Sequence, residues 1–339
     1  MTTVIDPVTG SPRPRLWTAV DTAVTYRWPT AGDHKYSRGV LGLITGSPRF
    51  PGAGVLSTLG ALGTGVGMVR HLGADAVQQR VLDRAPEVVT APGRTDAYAI
   101  GSGTPELDPA AAADDELGSR MLEVLAGTAP VVVDAGALAL LTPERLARPH
   151  RFILTPHAGE FARLATRLGI EVTLPDAHHG APHHGAEETG APEPADSAAA
   201  SGRLGSQRAD SVDEPDAAVQ ARGAAAAAMA RATGCTVLLK GAITIVTDGS
   251  RSVIVTTGTP WHATAGTGDV LTGVIGAVLA GAAADGDPDL LAVAASGAWL
   301  HGRAGAVARG PFTIGQLAAS LPEAVRGIAP HQDAPASLD

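Results

Sequence analysis

The sequence predicts a three-layer α/β/α sandwich around a mostly parallel sheet. Three observations carry this. Apolar runs of strand length alternate with longer helix-like runs, the arrangement that builds parallel sheets. Two of the strand-like runs, 131–134 and 152–155, are apolar throughout and do not alternate, as expected of strands covered on both faces. A late pair, 243–247 and 252–257, flanks Asp248-Gly249 and reads as a hairpin.

In chain order, residues 1–32 are rich in Pro, Thr and Arg and are expected to form a loosely held leader. A polar approach, Asp33 to Gly39, leads to a first strand at 40–46, which ends in the turn Gly46-Ser47-Pro48. Pro51-Gly52-Ala53-Gly54 opens a helix expected to reach about residue 67, with small residues throughout, suited to close packing or close approach to a ligand. A strand–helix unit follows at 68–82, then a strand at 96–101 that runs into Gly101-Ser102-Gly103. A helix is expected at 114–126. The strand 131–134 exits through Ala135-Gly136-Ala137-Leu138 into a short helix, and the strand 152–155 exits through Thr155-Pro156-His157 into a helix at 159–168.

From about 175 to 215 the pattern breaks into Ala, Gly, Pro, Ser, His and acid without a period, the composition of a disordered insertion. Its pairs His178-His179 and His183-His184 read as part of a solvated low-complexity loop and not as a metal site. Order returns with an Ala-rich helix at 216–233, a strand at 236–240 and the hairpin. An apolar helix at 270–284 and two more, 289–309 and 313–326, close the chain before a frayed tail from 330. His301, on the first of these two, reads as a satisfied core or surface histidine.

Composition bounds the function. A chain of 339 residues suits two domains or one large domain with an insertion. Hydrophobic residues make up 45% and aromatics 3%, so the core is built from small aliphatics. The net charge of −9, with no basic cluster, argues against a nucleic-acid surface. The single cysteine, Cys235, excludes an internal disulfide, fits a reducing compartment and reads as a buried small hydrophobe. Residues 1–15 hold no apolar segment, so no signal peptide is expected. The run 270–284 is broken by glycine and is expected to be too short to span a bilayer. These features point to a cytoplasmic protein.

The turns that carry chemistry all fall at the carboxyl ends of strands, where open α/β sheets bind ligands. They are Gly46-Ser47, Gly101-Ser102-Gly103, Thr155-Pro156-His157, Lys240-Gly241 and Gly266-Thr267-Gly268-Asp269. The last opens the apolar helix, where free N–H groups and the helix dipole favour an anion. Asp269 in its first turn is either a cap or a base beside a bound phosphate. No Walker A sequence occurs, and the Rossmann fingerprint fails because position 106 is Glu. No His-Glu-x-x-His is present. What remains is phosphoryl transfer: amides hold the migrating group and the aspartate accepts a proton. Mg²⁺ is expected to bridge the phosphates, although no ligand set for it is readable.

In the order and spacing of its motifs the chain resembles the ADP- or ATP-dependent NAD(P)H-hydrate dehydratases of the ribokinase-like superfamily. The pieces are His34-Lys35, Gly46-Ser47 with Pro51-Gly52-Ala53, Asp134-Ala135-Gly136-Ala137-Leu138, Leu154-Thr155-Pro156-His157 with Gly159-Glu160-Phe161, Leu239-Lys240-Gly241, and Gly258-Thr259-Pro260 ahead of Ala263 to Asp269. The resemblance covers about 33–327 apart from the insertion, and implies one ribokinase-like domain there, with a tail at 328–339. It implies that a nucleotide, ADP in preference to ATP, phosphorylates the hydroxyl of hydrated NADH or NADPH. Elimination of phosphate then restores the reduced cofactor. By the same resemblance Asp269 is the base, and Gly266, Thr267 and Gly268 hold the transferring phosphate. Ala53, Gly103, His157 and Asp269 contact the hydrate, while Lys240, Gly241, Ala242, Ile243, Thr244 and Gly268 hold the nucleotide. A tetramer and a separate epimerase for the other epimer are implied as partners.

Three departures are visible. Ser102 stands where the family usually has proline, Ala158 where it commonly has proline, and Trp261-His262 where it has smaller residues. Two other readings share the same site. One is a kinase of a vitamin-precursor alcohol, which would leave a stable phosphorylated product. The other is a nucleotide sensor, in which Asp269→Asn would be harmless.

Overall fold

The computed structural model describes residues 14–174 and 217–330. In chain order these residues form β1 (Arg15–Leu16), α1 (Ala19–Thr25), β2 (Val40–Ile44), α2 (Pro51–Thr64), β3 (Met68–His71), α3 (Asp75–Arg84), β4 (Ala97–Ile100), α4 (Glu116–Ala126) and β5 (Val131–Val133). A 3₁₀ turn (Ala135–Leu140) leads to α5 (Pro143–Leu146), β6 (Phe152–Leu154), α6 (Ala158–Leu168), α7 (Ala217–Thr233), β7 (Thr236–Leu239), β8 (Thr244–Thr247) and β9 (Ser252–Val255). A second 3₁₀ turn (Pro260–His262) precedes α8 (Thr267–Asp285), α9 (Leu290–Ala308), α10 (Ile314–Ala319) and α11 (Leu321–Arg326).

The strands make one sheet in the order β1-β9-β8-β7-β6-β5-β4-β2-β3. All neighbouring pairs are parallel except those made by β8, which runs against both β7 and β9. The expected three layers are present, and alternate residues of each strand feed two cores. Val132, Ile153 and Leu238 face a core shared with α2, α8 and α9. Val131, Val133, Phe152 and Leu154 face the other, shared with α4, α6 and α7. The chain leaves β2 for β3 on one side and returns to β4 on the other. This reversal opens a crevice at the carboxyl ends of β2 and β4, where such folds hold ligands.

Several expectations are corrected. Residues 14–32 are no loose leader. β1 pairs with β9, Trp17 is 5% exposed, and Arg27 bonds both Asp33 and Asp285. The apolar helix begins three residues earlier than the run 270–284 predicts and spans 19 residues, long and apolar enough by length and composition to cross a membrane. It is 72% buried inside the protein, as a core helix is. The helix at 313–326 divides at Ser320, because Pro322 in the first turn of α11 has no N–H with which to continue the ladder. The helix expected after 134 is a 3₁₀ turn. The insertion at 175–215 with its histidines, and 331–339 of the expected tail, lie outside the described residues, as do residues 1–13.

Candidate active site

The exit loops of β2 and β4 are tied across the crevice. Gly46 N donates to Ser102 O (2.7 Å), and Ser47 Oγ donates to Gly103 O (2.9 Å). Gly103 sits at φ +66°, and a Cβ there would lie 2.1 Å from Ala53 Cβ in the first turn of α2. Ala53 and Gly103 therefore pack against each other.

The exits of β5, β6 and β7 converge on Asp134, which is 2% exposed. Its carboxylate accepts from Thr155 Oγ1 (2.7 Å), Lys240 Nζ (2.9 Å) and Thr272 Oγ1 (2.9 Å). Burial works to raise its pKa, but the Lys240 ammonium and these hydrogen bonds outweigh it and hold the carboxyl below its ordinary value. Burial likewise works to lower the Lys240 pKa, and the carboxylates of Asp134 and Glu160 outweigh it. Lys240 Nζ also lies 3.4 Å from Glu160 Oε2 and about a contact distance from Gly268, 3.9 Å from where a Cβ would be. The lysine is thus a fixed, charged group beside the α8 N-terminus.

His157 caps α6. Its Nδ1 accepts from the N–H groups of Gly159 (3.0 Å) and Glu160 (3.4 Å), while Glu160 Oε2 accepts from His157 N (2.8 Å). A ring whose Nδ1 accepts carries its proton on Nε2 when neutral. Burial, the largest influence, favours that neutral form. Nε2 lies 3.5 Å from Glu160 Oε1.

The turn before α8 has Gly266 in the left-handed region, φ +93°, and no side chain caps the helix. Asp269 is accordingly no cap. Its Oδ1 instead accepts from Ser102 Oγ at 2.5 Å. Burial raises the Asp269 pKa, the Ser102 hydrogen bond opposes this, and the Asp134 charge adds to the rise. Thr267 Oγ1 donates to Thr264 O (2.7 Å), and Thr267 O accepts from His301 Nε2 (3.1 Å), so His301 is a satisfied core histidine. The His262 ring lies 4.9 Å from that of His301 and accepts from Thr259 N (3.0 Å), bracing the approach to the anion turn.

Thr244 opens β8, and Lys240, Gly241, Ala242 and Ile243 form the turn between β7 and β8. Arg222 on α7 holds it by donating to Lys240 O (3.2 Å) and Ile243 O (3.5 Å). Of these residues Lys240 reaches Gly268, and the others line the turn beyond it. Cys235 is 2% exposed, and burial pushes its thiol up to about 12, so it packs as a hydrophobe.

Asp134, Glu160, Thr155 and Ser102 lie in the turns and motifs named from the sequence, though no role is expected of them there, and Thr272 is not among those named. Asp134 carries a usable signal, an acid at the exit of an all-apolar strand. Thr272 carries none.

Among the described residues no three His, Cys, Asp or Glu side chains converge to hold a metal. Asp134 and Glu160, the acids beside Asp269, are engaged by Lys240. The donor set does not fit a protein-held Mg²⁺, and no step below passes through one.

The comparisons with known proteins fall on this framework. The chain is 36% identical over 278 residues to the bifunctional NAD(P)H-hydrate repair enzyme Nnr of Mycobacterium tuberculosis, covering 78% of this chain and 46% of that one. It is 32% identical over 260 residues to the Nnr enzyme of Corynebacterium glutamicum, covering 73% and 37%. The chain thus spans about half the length of the curated relatives it matches, or less. Among solved structures, the ADP/ATP-dependent NAD(P)H-hydrate dehydratase of Bacillus subtilis, co-crystallised with ATP and Mg²⁺, shares the fold. Its TM-score is 0.67 at 24% identity, over 93% of this chain and 99% of that one. Hydroxyethylthiazole kinase of Pyrococcus horikoshii shares it less closely, with a TM-score of 0.53 at 17% identity over 92% and 94%. The model of the NAD(P)H-hydrate dehydratase family matches residues 41–188 and 210–326, which include Asp134, Lys240 and Asp269, and the chain belongs to that family.

Proposed function

We propose that the chain is a hydro-lyase that returns hydrated NADH or NADPH to the reduced cofactor at the expense of ADP, or of ATP in its place. The observation that carries this reading is Asp269. It is a carboxylate in the first turn of α8 that caps nothing, is raised in proton affinity by burial and sits beside the glycine turn at that helix's N-terminus.

Asp269 takes the proton of the hydrate's hydroxyl as that oxygen attacks the terminal phosphorus of the nucleotide, and AMP leaves when ADP is the donor. The amides at Gly266 and Gly268 offset the charge that builds on the phosphoryl oxygens, and Thr267, whose N–H donates to Thr264 O (3.2 Å), holds the turn between them. Lys240, held in place by Asp134 and Glu160, adds a fixed positive charge on the same side. The phosphorylated carbon then loses phosphate, a far better leaving group than hydroxide, and the neighbouring carbon gives up a proton to restore the double bond. Ala53, Gly103 and the neutral His157 border the hydrate, and the turn from Lys240 to Thr244 borders the nucleotide. Mg²⁺ belongs in this reading to the nucleotide's phosphates. The reaction is placed in the cytoplasm, in a homo-oligomer, with a separate epimerase supplying the reactive epimer.

The test is recovery of reduced-nicotinamide absorbance when the chain is given NADH hydrate, Mg²⁺ and either nucleotide. Recovery that requires nucleotide is expected, with ADP faster, and with at least a hundredfold loss in Asp269→Asn, the size typical of a general base. A stable phosphorylated product in place of released phosphate would overturn the dehydratase reading in favour of a kinase.

A further inference from the structure

Ser102 is accounted for by neither the anion turn nor the nucleotide turn. It occupies the position at which the resemblance predicts a proline. It is 1% exposed, and its hydroxyl donates to Asp269 Oδ1 over 2.5 Å, joining the exit of β4 to the first turn of α8. The backbone around it is held on both sides. Gly101 N donates to Ile44 O (3.0 Å), Thr104 N donates to Gly101 O (3.1 Å), and Ser102 O accepts from Gly46 N (2.7 Å). The flanking glycines have φ +97° and +66°, and a Cβ added to Gly101 would lie 2.1 Å from Asp134 O. The loop is therefore fixed by its own hydrogen bonds and packing, without the proline.

We propose that Ser102 is a positioning residue of this reaction, holding Asp269 Oδ1 so that Oδ2 is the oxygen presented to the acceptor hydroxyl. The proposal deepens the dehydratase reading and rests on it. The terminal torsion of an aspartate is broad and nearly two-fold, so an untethered carboxylate offers either oxygen. A hydroxyl bonded to an ionised acceptor is short and strong, and selects one. Among the described residues no hydrogen bond is made to Oδ2. The same bond favours the charged base. It opposes burial and the negative charge of Asp134 at the β5 exit, and works with the positive charge of Lys240 at the β7 exit. Glu160 of α6 pairs with Lys240, and Thr272 of α8 donates to Asp134, the two charged groups that act on Asp269.

The experiment measures kcat and KM for Ser102→Ala and Ser102→Thr against the unaltered chain, with NADH hydrate and nucleotide, from acid to neutral pH. Ser102→Ala is expected to lower kcat roughly tenfold, the equivalent of one hydrogen bond to a charged group, and to leave the nucleotide KM within about twofold. Its acid limb should move to higher pH, because the bond that favours the carboxylate is gone. Threonine should restore both. An unchanged kcat, or a lower one with an unmoved acid limb, would overturn the proposal. If the unaltered chain does not turn over the hydrate, it is the dehydratase reading that fails. Carbon-13 NMR titration of the Asp269 carboxyl, assigned with Asp269→Asn, then decides the Ser102 contact without substrate. An upward shift in Ser102→Ala supports the contact, and an unmoved titration sinks it.

Discussion

Asp269 illustrates at the scale of one residue how a site can work against the fold that holds it. Burial and the Asp134 charge make its ionised form costly, and Ser102 and Lys240 only partly offset this. A carboxyl whose folded pKa is raised binds its proton more tightly in the native state. Stability therefore falls as pH rises from the ordinary carboxylate value to the raised one, and above that the penalty is complete. Asparagine has nearly the same shape without the charge. Asp269→Asn is expected to melt at a higher temperature than the unaltered chain at neutral pH while losing activity, a trade common at functional sites. The gain should shrink as pH drops below the ordinary carboxylate range, where both forms are neutral. Thermal melts of the two proteins across that range would show it, and equal melting temperatures at neutral pH would contradict it. The identity of Asp269 was legible because it follows Gly266-Thr267-Gly268 at the head of an apolar run. Its partner was not. Ser102 lies 167 residues away, and Lys240 meets Asp134 across 106, so only the strand order brings these groups together.

At the scale of the element, the position of α8 is set by glycine. A Cβ on Gly273 would lie 1.9 Å from Ser57 O, and one on Gly60 would lie 2.5 Å from Val270 O. α2 and α8 thus touch backbone to backbone, which brings Ala53 and the anion turn to one crevice. This accounts for the small residues running through both helices, a pattern readable from the sequence with its direction of contact left open. Gly273→Ala should gain about 1 kcal/mol of intrinsic helix propensity. The added methyl, however, meets a carbonyl that cannot move without shifting a whole helix, and overpacking of this kind costs about 1–3 kcal/mol. Net destabilisation of up to about 2 kcal/mol is expected in denaturant unfolding. Gly223→Ala on α7, where a Cβ has nothing within 4 Å among the described residues, should be neutral or stabilising. Equal effects at the two positions would show that packing against α2 is not what requires glycine. Helix ends were less legible than helix cores. Pro322 lies inside the single helix expected at 313–326, where a proline signals a break, and the break comes two residues before it at Ser320.

For the whole molecule, the sheet extends further than the apolar runs foretold. The strands from β2 to β9 were visible as hydrophobic runs, and so was their mostly parallel order. β1 was invisible, because two residues in a Pro- and Arg-rich stretch carry no period. It is held instead by what surrounds it. Trp17 N donates to Ile254 O (2.9 Å), its ring N–H donates to Thr22 Oγ1 (3.1 Å), and Tyr26 Oη donates to Thr64 O (2.6 Å). Trp17 belongs to the core lined by α8 and α9, so the segment closes the sheet edge beyond β9 and covers apolar surface there. The candidate-site loops that leave β2, β4, β5, β6 and β7 lie several strands away, while the turn before α8 follows β9 itself. Trp17→Ala is therefore expected to reduce unfolding free energy by about 3 kcal/mol, in line with other buried tryptophan truncations. Below its lowered melting temperature it should leave the nucleotide KM within about twofold, since among the described residues the ring's hydrogen bond is to Thr22 and not to a residue of the crevice. Denaturant unfolding together with steady-state kinetics separates these effects. Stability unaffected by the truncation would mean that residues 14–32 are the loose leader their composition suggests, and that β9 is the true edge of the fold.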